Sequence, residues 1–346
     1  MEVGSMIRVD ISKLKKGDII LSTSTKFQSK VIRFFTDSDI SHAMICVANG
    51  SVMDSTGEGV HARNIEKMFY DDSCAIYAYR LKAGISDSEM QAVLAYVRSE
   101  TGSPYTTLGA ISSVVLPKIK GGGQQFCSRL VARAYEKAGI NITTNPDTCT
   151  PADIQESPLL ELIPDAVIPV SDADIENLKK EGDTTVAYRD IESRLLKNLR
   201  DIRPNIRVIN DIDKILLDEP ALDNIFAAIF LESGYLEFWQ VERNRFPWRY
   251  DETEIVAFYN IIENKEDLIG YCENTISNDA GGKGDFMHWD QNLVRYTNYE
   301  REKGLRTFSL IRELYVNLAS GHKLRVESAN FLVRKYNGQN RASILI

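Results

Sequence analysis

No run of about 18 apolar residues occurs anywhere in the 346-residue sequence, which excludes a membrane-spanning helix. The opening MEVGSMIRVD has no apolar core, so no secretory signal peptide is expected. Basic runs are lacking as well. With 41 Lys+Arg against 49 Asp+Glu the formal charge is −8, which argues against a nucleic-acid partner. The five cysteines, Cys46, Cys74, Cys127, Cys149 and Cys272, form no CxxC pair. An odd, scattered set points to reduced thiols in a cytoplasm-like compartment and away from a disulfide framework or zinc site. Internal repeats and low-complexity tracts are missing. Histidine is scarce, with only His42, His61, His288 and His322 to weigh.

What is present divides in two. The first half is rich in Gly, Ser and short β-branched runs, with strands alternating with helices; the second reads almost entirely as amphipathic helices. Ile191, Leu195, Leu196, Leu199 and Ile202 recur at helical spacing, as do Ile255, Phe258, Tyr259 and Ile262. Leu310, Ile311, Leu314, Tyr315 and Leu318 repeat the pattern. The stretch 163–174, with Pro164 and Pro169, reads as the linker. The expected domains are therefore 1–168 and 169–346.

Gly17-Asp18 leads into an apolar strand, Ile19–Leu21, and a helix is expected around Phe27–Phe35. His42 heads a second strand running to Ala48, and Asn49-Gly50 is a strong hairpin signal. A further strand fits Ala75–Leu81, followed by a helix from Ser86 to about Thr101, with Glu89 placed for a capping box. An apolar helical stretch is expected at Leu108–Leu116, then a glycine run at 121–123. Cys127 opens the next helix, which Gly139 ends.

Cys127 thus sits where a loop becomes a helix. Unpaired N–H groups and the positive end of the helix dipole there favour a thiolate and can hold an oxyanion. A nucleophilic cysteine needs a base, and His42, mounted on a strand beside a hairpin, is the candidate. A base needs an orienting polar group, and Asp54 lies on the return strand. A two-residue Asn49-Gly50 turn would pair Ile45 with Asp54 and put Asp54 and His42 on opposite faces of the sheet. A three-residue loop over Ala48-Asn49-Gly50, bulged at Gly50, would pair Met44 with Asp54 and bring Asp54 diagonal to His42. The triad requires the second register. Glu58 is the alternative orienter.

These residues carry a resemblance. GDIIL at 17–21, SHAMICV at 41–47, the polar Asp54, GSPYTTLG at 102–109, FCSRLVARAYEKAGINI at 126–142 and CTPADIQESPLLELI at 149–163 resemble the NlpC-type cysteine hydrolases. Histidine precedes cysteine, the order of the circularly permuted papain-like branch, the YiiX/YebB-like proteins, to which relatives of lecithin:retinol acyltransferase also belong. The resemblance covers about 14–165 and implies an α+β fold, a permuted papain-like domain with a small antiparallel sheet and packed helices. A mostly α-helical domain without recognised chemistry follows. It implies Cys127 as nucleophile, His42 as base and Asp54 as third member, a place where the family more often has Glu, His, Asn or Gln. A backbone N–H at Cys127 would serve an oxyanion hole. No cofactor and no metal is implied.

Three functions follow as expectations. The first is an acyl hydrolase or acyltransferase acting on a lipid or other acyl ester or amide. The second is an amidase or peptidase cleaving cell-wall peptides, which would need a dedicated secretion machine, as for an exported effector. The third is a catalytically silent scaffold whose helical half does the work. The expected partners are a lipid or peptide substrate and a protein bound by the helical domain; Phe34, Phe35 and Leu108–Leu116 read first as core packing of the papain-like helices, with a peripheral membrane surface as the alternative. The expected location is cytoplasmic, or outside the cell after such export. Cys46 and Cys74 read as core strand residues, and Cys149 and Cys272 as structural. His61, in the GEGV turn, reads as solvated. His288 reads as a satisfied surface histidine and His322 as a cation near a helix end.

Overall fold

The computed structural model describes residues 5–23, 39–105, 126–279 and 287–344, with side chains up to 336. The helix expected at 27–35, the apolar stretch 108–116 and the glycine run 121–123 lie outside the described residues. The chain divides into two compact units, Met1–Ile212 and Asp213–Ile346.

The first unit is built on a six-stranded antiparallel sheet. Its strands are β2 (Ile19–Ser22), β3 (His42–Ala48), β4 (Ser51–Thr56), β5 (Gly59–Asn64), β7 (Ile76–Leu81) and β8 (Leu160–Leu162), in the order β5-β4-β3-β2-β7-β8. A smaller sheet places β1 (Met6–Val9) between β6 (Tyr70–Asp71) and β9 (Val167–Pro169). Strand β2 is apolar at consecutive positions because both of its faces are buried. Ile19 and Leu21 join Ala43, Ile45, Met53 and Val60 on one side, under α1 (Asp87–Ser99) and α2 (Cys127–Lys137). Ile20, Met44, Cys46 and Val52 pack on the other side with Val9 and Ile65. An α+β core of this kind, with helices stacked on one sheet face, is what the resemblance implies.

Local chemistry fixes the ends of these elements. Ser86 and Glu89 form the capping box that starts α1. Thr150 and Asp153 form another at α3 (Pro151–Gln155), so the TP-x-D sequence is a helix start. Gly139, at φ 80°, follows the end of α2. Gly17 opens the run into β2 at φ 85°, and its carbonyl accepts a hydrogen bond from the buried Tyr135 hydroxyl of α2. The following Asp18 is buried and pairs with Arg80 at 2.6 Å. The conspicuous Gly-Asp pair is therefore a structural clamp between helix and sheet.

The expected linker at 163–174 contains strand β9, held by β1, and the first unit runs past residue 168 to Ile212. Helices α4 (Asp172–Glu181) and α5 (Thr184–Ile202) belong to it. Leu195, Leu196 and Leu199 are the buried stripe of α5, and this helix packs against β5. Lys67 reaches Glu181 and the Gly182 carbonyl, and Arg200 donates to the Gly102 carbonyl at 2.8 Å.

The division between units falls within α6 (Asp211–Asp218). The second unit is helical: α7 (Asp223–Ser233), α8 (Trp239–Arg245), α9 (Glu252–Ile261), α10 (Lys265–Asp279), α11 (Met287–Lys303) and the 39-residue α12 (Arg306–Ile344). Helices α7, α9, α10 and α11 all pack on α12. His322 lies inside α12, paired with Asp279 at 2.8 Å, and Gly321 ends no helix there. Among the described residues no helix is long and apolar enough to cross a membrane.

Candidate active site

His42 is the first residue of β3, and Asp54 stands on β4 opposite Met44. This is the register the triad needs, reached by a different route from the three-residue loop. The turn is the two-residue Asn49-Gly50, with Ala48 paired to Ser51, and the shift comes from an extra residue inside β3 between Cys46 and Ala48. Val47 is that residue. Without it, a two-residue turn would put Asp54 on the far face of the sheet.

The consequence is direct contact. His42 Nε2 lies 2.9 Å from Asp54 Oδ2, and Asp54 is only 1% exposed. The Cys127 thiol is close enough to favour the charged form of the ring. With Nε2 held by Asp54, the nitrogen left for the thiol is Nδ1. Burial by itself would lower the pKa of His42, but the hydrogen bonds and charges of Asp54 and Cys127 outweigh it and push the group up to about 10. Burial likewise opposes the charged form of Asp54, yet His42 and Arg63 hold its carboxyl below the usual carboxylate range. The pair is thus built to stay as imidazolium and carboxylate.

Cys127 is the first residue of α2 and 5% exposed. The residue before it, Phe126, offers no side-chain hydrogen bond to the helix end. The ladder of the helix begins with Leu130 N–H to Phe126 O, so the amides of 127–129 precede it. Helices α1, α3 and α4 all begin with a capping side chain, whereas α2 presents its amide end uncapped beside the thiol. Tyr105 is a further neighbour: burial, together with the charge of Cys127, pushes its phenol up. Ser128 turns away and donates to the Cys149 carbonyl at 2.7 Å.

Arg63, on β5, escaped selection from sequence. Its Nε lies 2.7 Å from Asp54 Oδ1 and 2.8 Å from Oδ2, while its terminal nitrogen donates to Thr56 at 3.0 Å. Nothing in the sequence singled it out; it faces Val52 only once β5 is laid beside β4. Glu58, the alternative orienter, is not on the His42 ring. Its carboxylate lies 3.3 Å from Arg63 and 3.4 Å from Arg189 of α5.

His61 is not solvated. It is 1% exposed, with Nδ1 3.1 Å from Glu192 of α5 and Nε2 donating to the Glu58 carbonyl at 3.0 Å. Cys46 is a buried strand residue, whereas Cys74 sits in the bend before β7. Burial pushes the Cys149 thiol up to about 12, which suits a structural group. Phe34, Phe35 and Leu108–Leu116, read as core packing with a lipid-facing surface as the alternative, lie outside the described residues. Among the described residues no cluster of three or more His, Cys, Asp or Glu is placed to hold a metal ion.

Residues 13–157 match the family described as permuted papain-like amidase enzyme, YaeF/YiiX, C92 family. This segment belongs to that family. The match contains His42, Asp54 and Cys127, and leaves the helical second unit outside it. The permuted papain-like domain is, by family, that of a cysteine hydrolase. Among solved structures, that of metalloprotein yiiX from Escherichia coli O157:H7 is 18% identical, covering 44% of this chain and 97% of its own, at a TM-score of 0.31. No curated protein matches the chain.

Proposed function

We propose that this protein hydrolyses an acyl bond through Cys127, and that the bond is an amide. The observation that carries the reading is one continuous contact. The Cys127 thiol, at an uncapped helix start, interacts with His42 and favours its charged form, and His42 Nε2 is held 2.9 Å from Asp54. The family description names amidases, which favours an amide over an ester carbonyl.

The geometry supports a two-stage reaction. His42, kept cationic by Asp54, stabilises a Cys127 thiolate. The thiolate sulfur attacks the carbonyl carbon, and the negative charge on oxygen is received by the Cys127 N–H at the start of α2. The tetrahedral adduct collapses with loss of the amine, which takes its proton from His42, and a thioester remains. Neutral His42 then removes a proton from water, the hydroxide attacks the thioester, and the acid leaves as the thiol is restored. Replacement of water by another acceptor would give acyl transfer from the same thioester.

The test is a substrate survey. Wild type and Cys127→Ala are incubated with a crude bacterial envelope, and the peptide and lipid fractions are read by mass spectrometry. Cys127-dependent appearance of new amine and carboxylate ends among envelope peptides supports the amidase reading. Loss or exchange of lipid acyl chains replaces it with an esterase or acyltransferase acting on lipid. Identical products from wild type and Cys127→Ala sink the thiol mechanism and return the function to the helical unit.

A further inference from the structure

Among the described residues Asp54 has two partners, and one of them lies outside the proposed triad. The second is Arg63, one strand further from His42, whose Nε reaches both carboxylate oxygens, at 2.7 and 2.8 Å. Oδ2 is shared, accepting from Arg63 and from His42 at 2.9 Å. Arg63 is itself fixed from two sides, by Thr56 at 3.0 Å and by Glu58 at 3.3 Å, and Glu58 also meets Arg189 of α5. The carboxylate is 1% exposed and the guanidinium side chain 15% exposed, so water is a poor substitute for either.

We infer that Arg63 is a positioning residue of the active site, holding Asp54 as an oriented carboxylate so that Asp54 can hold His42. This rests on the Cys127–His42–Asp54 reading proposed above. Arg63 does not touch the reacting atoms; it acts through Asp54. A buried carboxylate left with one hydrogen bond does not stay both charged and buried. It takes a proton or turns toward water, and either change removes the anion from beside the imidazole. An opposing effect exists, because a bare Asp54 charge would pull harder on His42. That effect loses, since it needs the unpaired anion to remain in place.

Among the described residues, the charged and titratable groups around the pair come from strands, a turn and a helix. His42 comes from β3, Arg63 and His61 from β5, Glu58 from the turn between β4 and β5, Tyr70 from β6 and Cys127 from α2. His61 is paired with Glu192 and does not compete for Asp54.

The experiment reads the His42 ring directly. Protein labelled with ring-13C histidine has four histidines to resolve, and the signal missing from His42→Ala identifies the one of interest. Its titration is followed in wild type, Arg63→Gln and Arg63→Lys, at temperatures where circular dichroism shows each folded. Iodoacetamide alkylation of Cys127 is measured in parallel.

In Arg63→Gln the His42 midpoint falls by at least one pH unit, and Arg63→Lys, which keeps the charge but loses the two-oxygen contact, falls about half as far. A role confined to packing would lower thermal stability and leave the titration unchanged. A wild-type midpoint in Arg63→Gln overturns the inference, and so does a rise. Should Arg63→Gln not fold, a wild-type midpoint in Arg63→Lys overturns it instead. The underlying site fails separately: alkylation in His42→Ala indistinguishable from wild type would remove the thiol–imidazole pair, whatever Arg63 does.

Discussion

His42 and Asp54 meet at 2.9 Å because one extra residue, Val47, is accommodated in the strand between them. The turn alone would have placed the two side chains on opposite faces. The bulge restores the parity, so a local irregularity of β3 decides whether the histidine has an orienting partner. The same relationship governs how each member of the site should respond to substitution.

Cys127→Ala should reduce turnover at least ~1,000-fold, because removal of a nucleophile abolishes the covalent path. The side chain is small and lies at the first position of α2, so the melting temperature should stay close to that of wild type. Thermal melts run beside the activity assay check both points. A large loss of stability would show that the packing of the buried sulfur outweighs its chemistry.

His42→Ala should slow iodoacetamide alkylation of Cys127 at pH 6 by ~10-fold or more, since the thiol loses the imidazolium that stabilises its anion. Asp54→Asn should slow turnover less than Cys127→Ala, because an orienting group is partly replaceable by its amide. Rates of alkylation across pH for the three proteins provide the check. Equal rates in wild type and His42→Ala would rule out the ion pair.

The pH dependence of stability follows from the same contact. His42 is raised from 6.5 to about 10 in the folded protein, so its pairing contributes fully below about 6.5 and is lost as pH climbs through about 10. Asp54 is shifted the other way, so its contribution is present above its ordinary value of 3.8 and is lost as pH falls below it. Melting temperature should therefore decline between neutral pH and pH 10 with a component that His42→Gln abolishes. Scans of wild type and variant across that range measure it. Parallel curves would mean that His42 is not held as a cation.

Much of this arrangement was legible in the sequence because it depends on short-range rules. Asn49-Gly50 turns the hairpin, Ser86 with Glu89 and Thr150 with Asp153 start helices, and Gly139 ends one. What was hidden depends on contacts made at long range. Val47 bulges only in relation to its partner strand. Arg63 looks like a surface residue of GVHARN until β5 is laid beside β4. His61 reads as solvated until Glu192, 131 residues later, covers it. The boundary at 168 was equally reasonable from prolines and short side chains, but β9 pairs with β1 and the stripe of α5 needs the first sheet to bury it.

That last point makes a prediction about truncation. A chain ending at residue 212 keeps β9, α4 and α5, and should fold with a single cooperative transition. A chain ending at 168 loses Glu192 from the buried His61 and Arg200 from the Gly102 carbonyl, and uncovers the surface against which Leu195, Leu196 and Leu199 pack. The shorter chain should unfold at lower temperature and bind a dye for exposed apolar surface. Equal melting temperatures for the two chains would show that α4 and α5 are dispensable.

Gly102 is the point where that dependence is sharpest. Its φ of +79° is a left-handed conformation that side chains rarely adopt, and a Cβ there would lie 2.2 Å from Leu196 Cδ1. Gly102→Ala therefore combines backbone strain with overpacking against α5, for a loss of about 1–3 kcal/mol. The two causes can be separated. Leu196→Ala leaves a void of its own, but in its presence the alanine at 102 has room, so the double variant should lose less than the sum of the single losses. Denaturant titration of the four proteins closes the cycle. If the two losses simply added, the close approach of Leu196 to Gly102 would have no energetic consequence, and the strain would lie wholly in the turn.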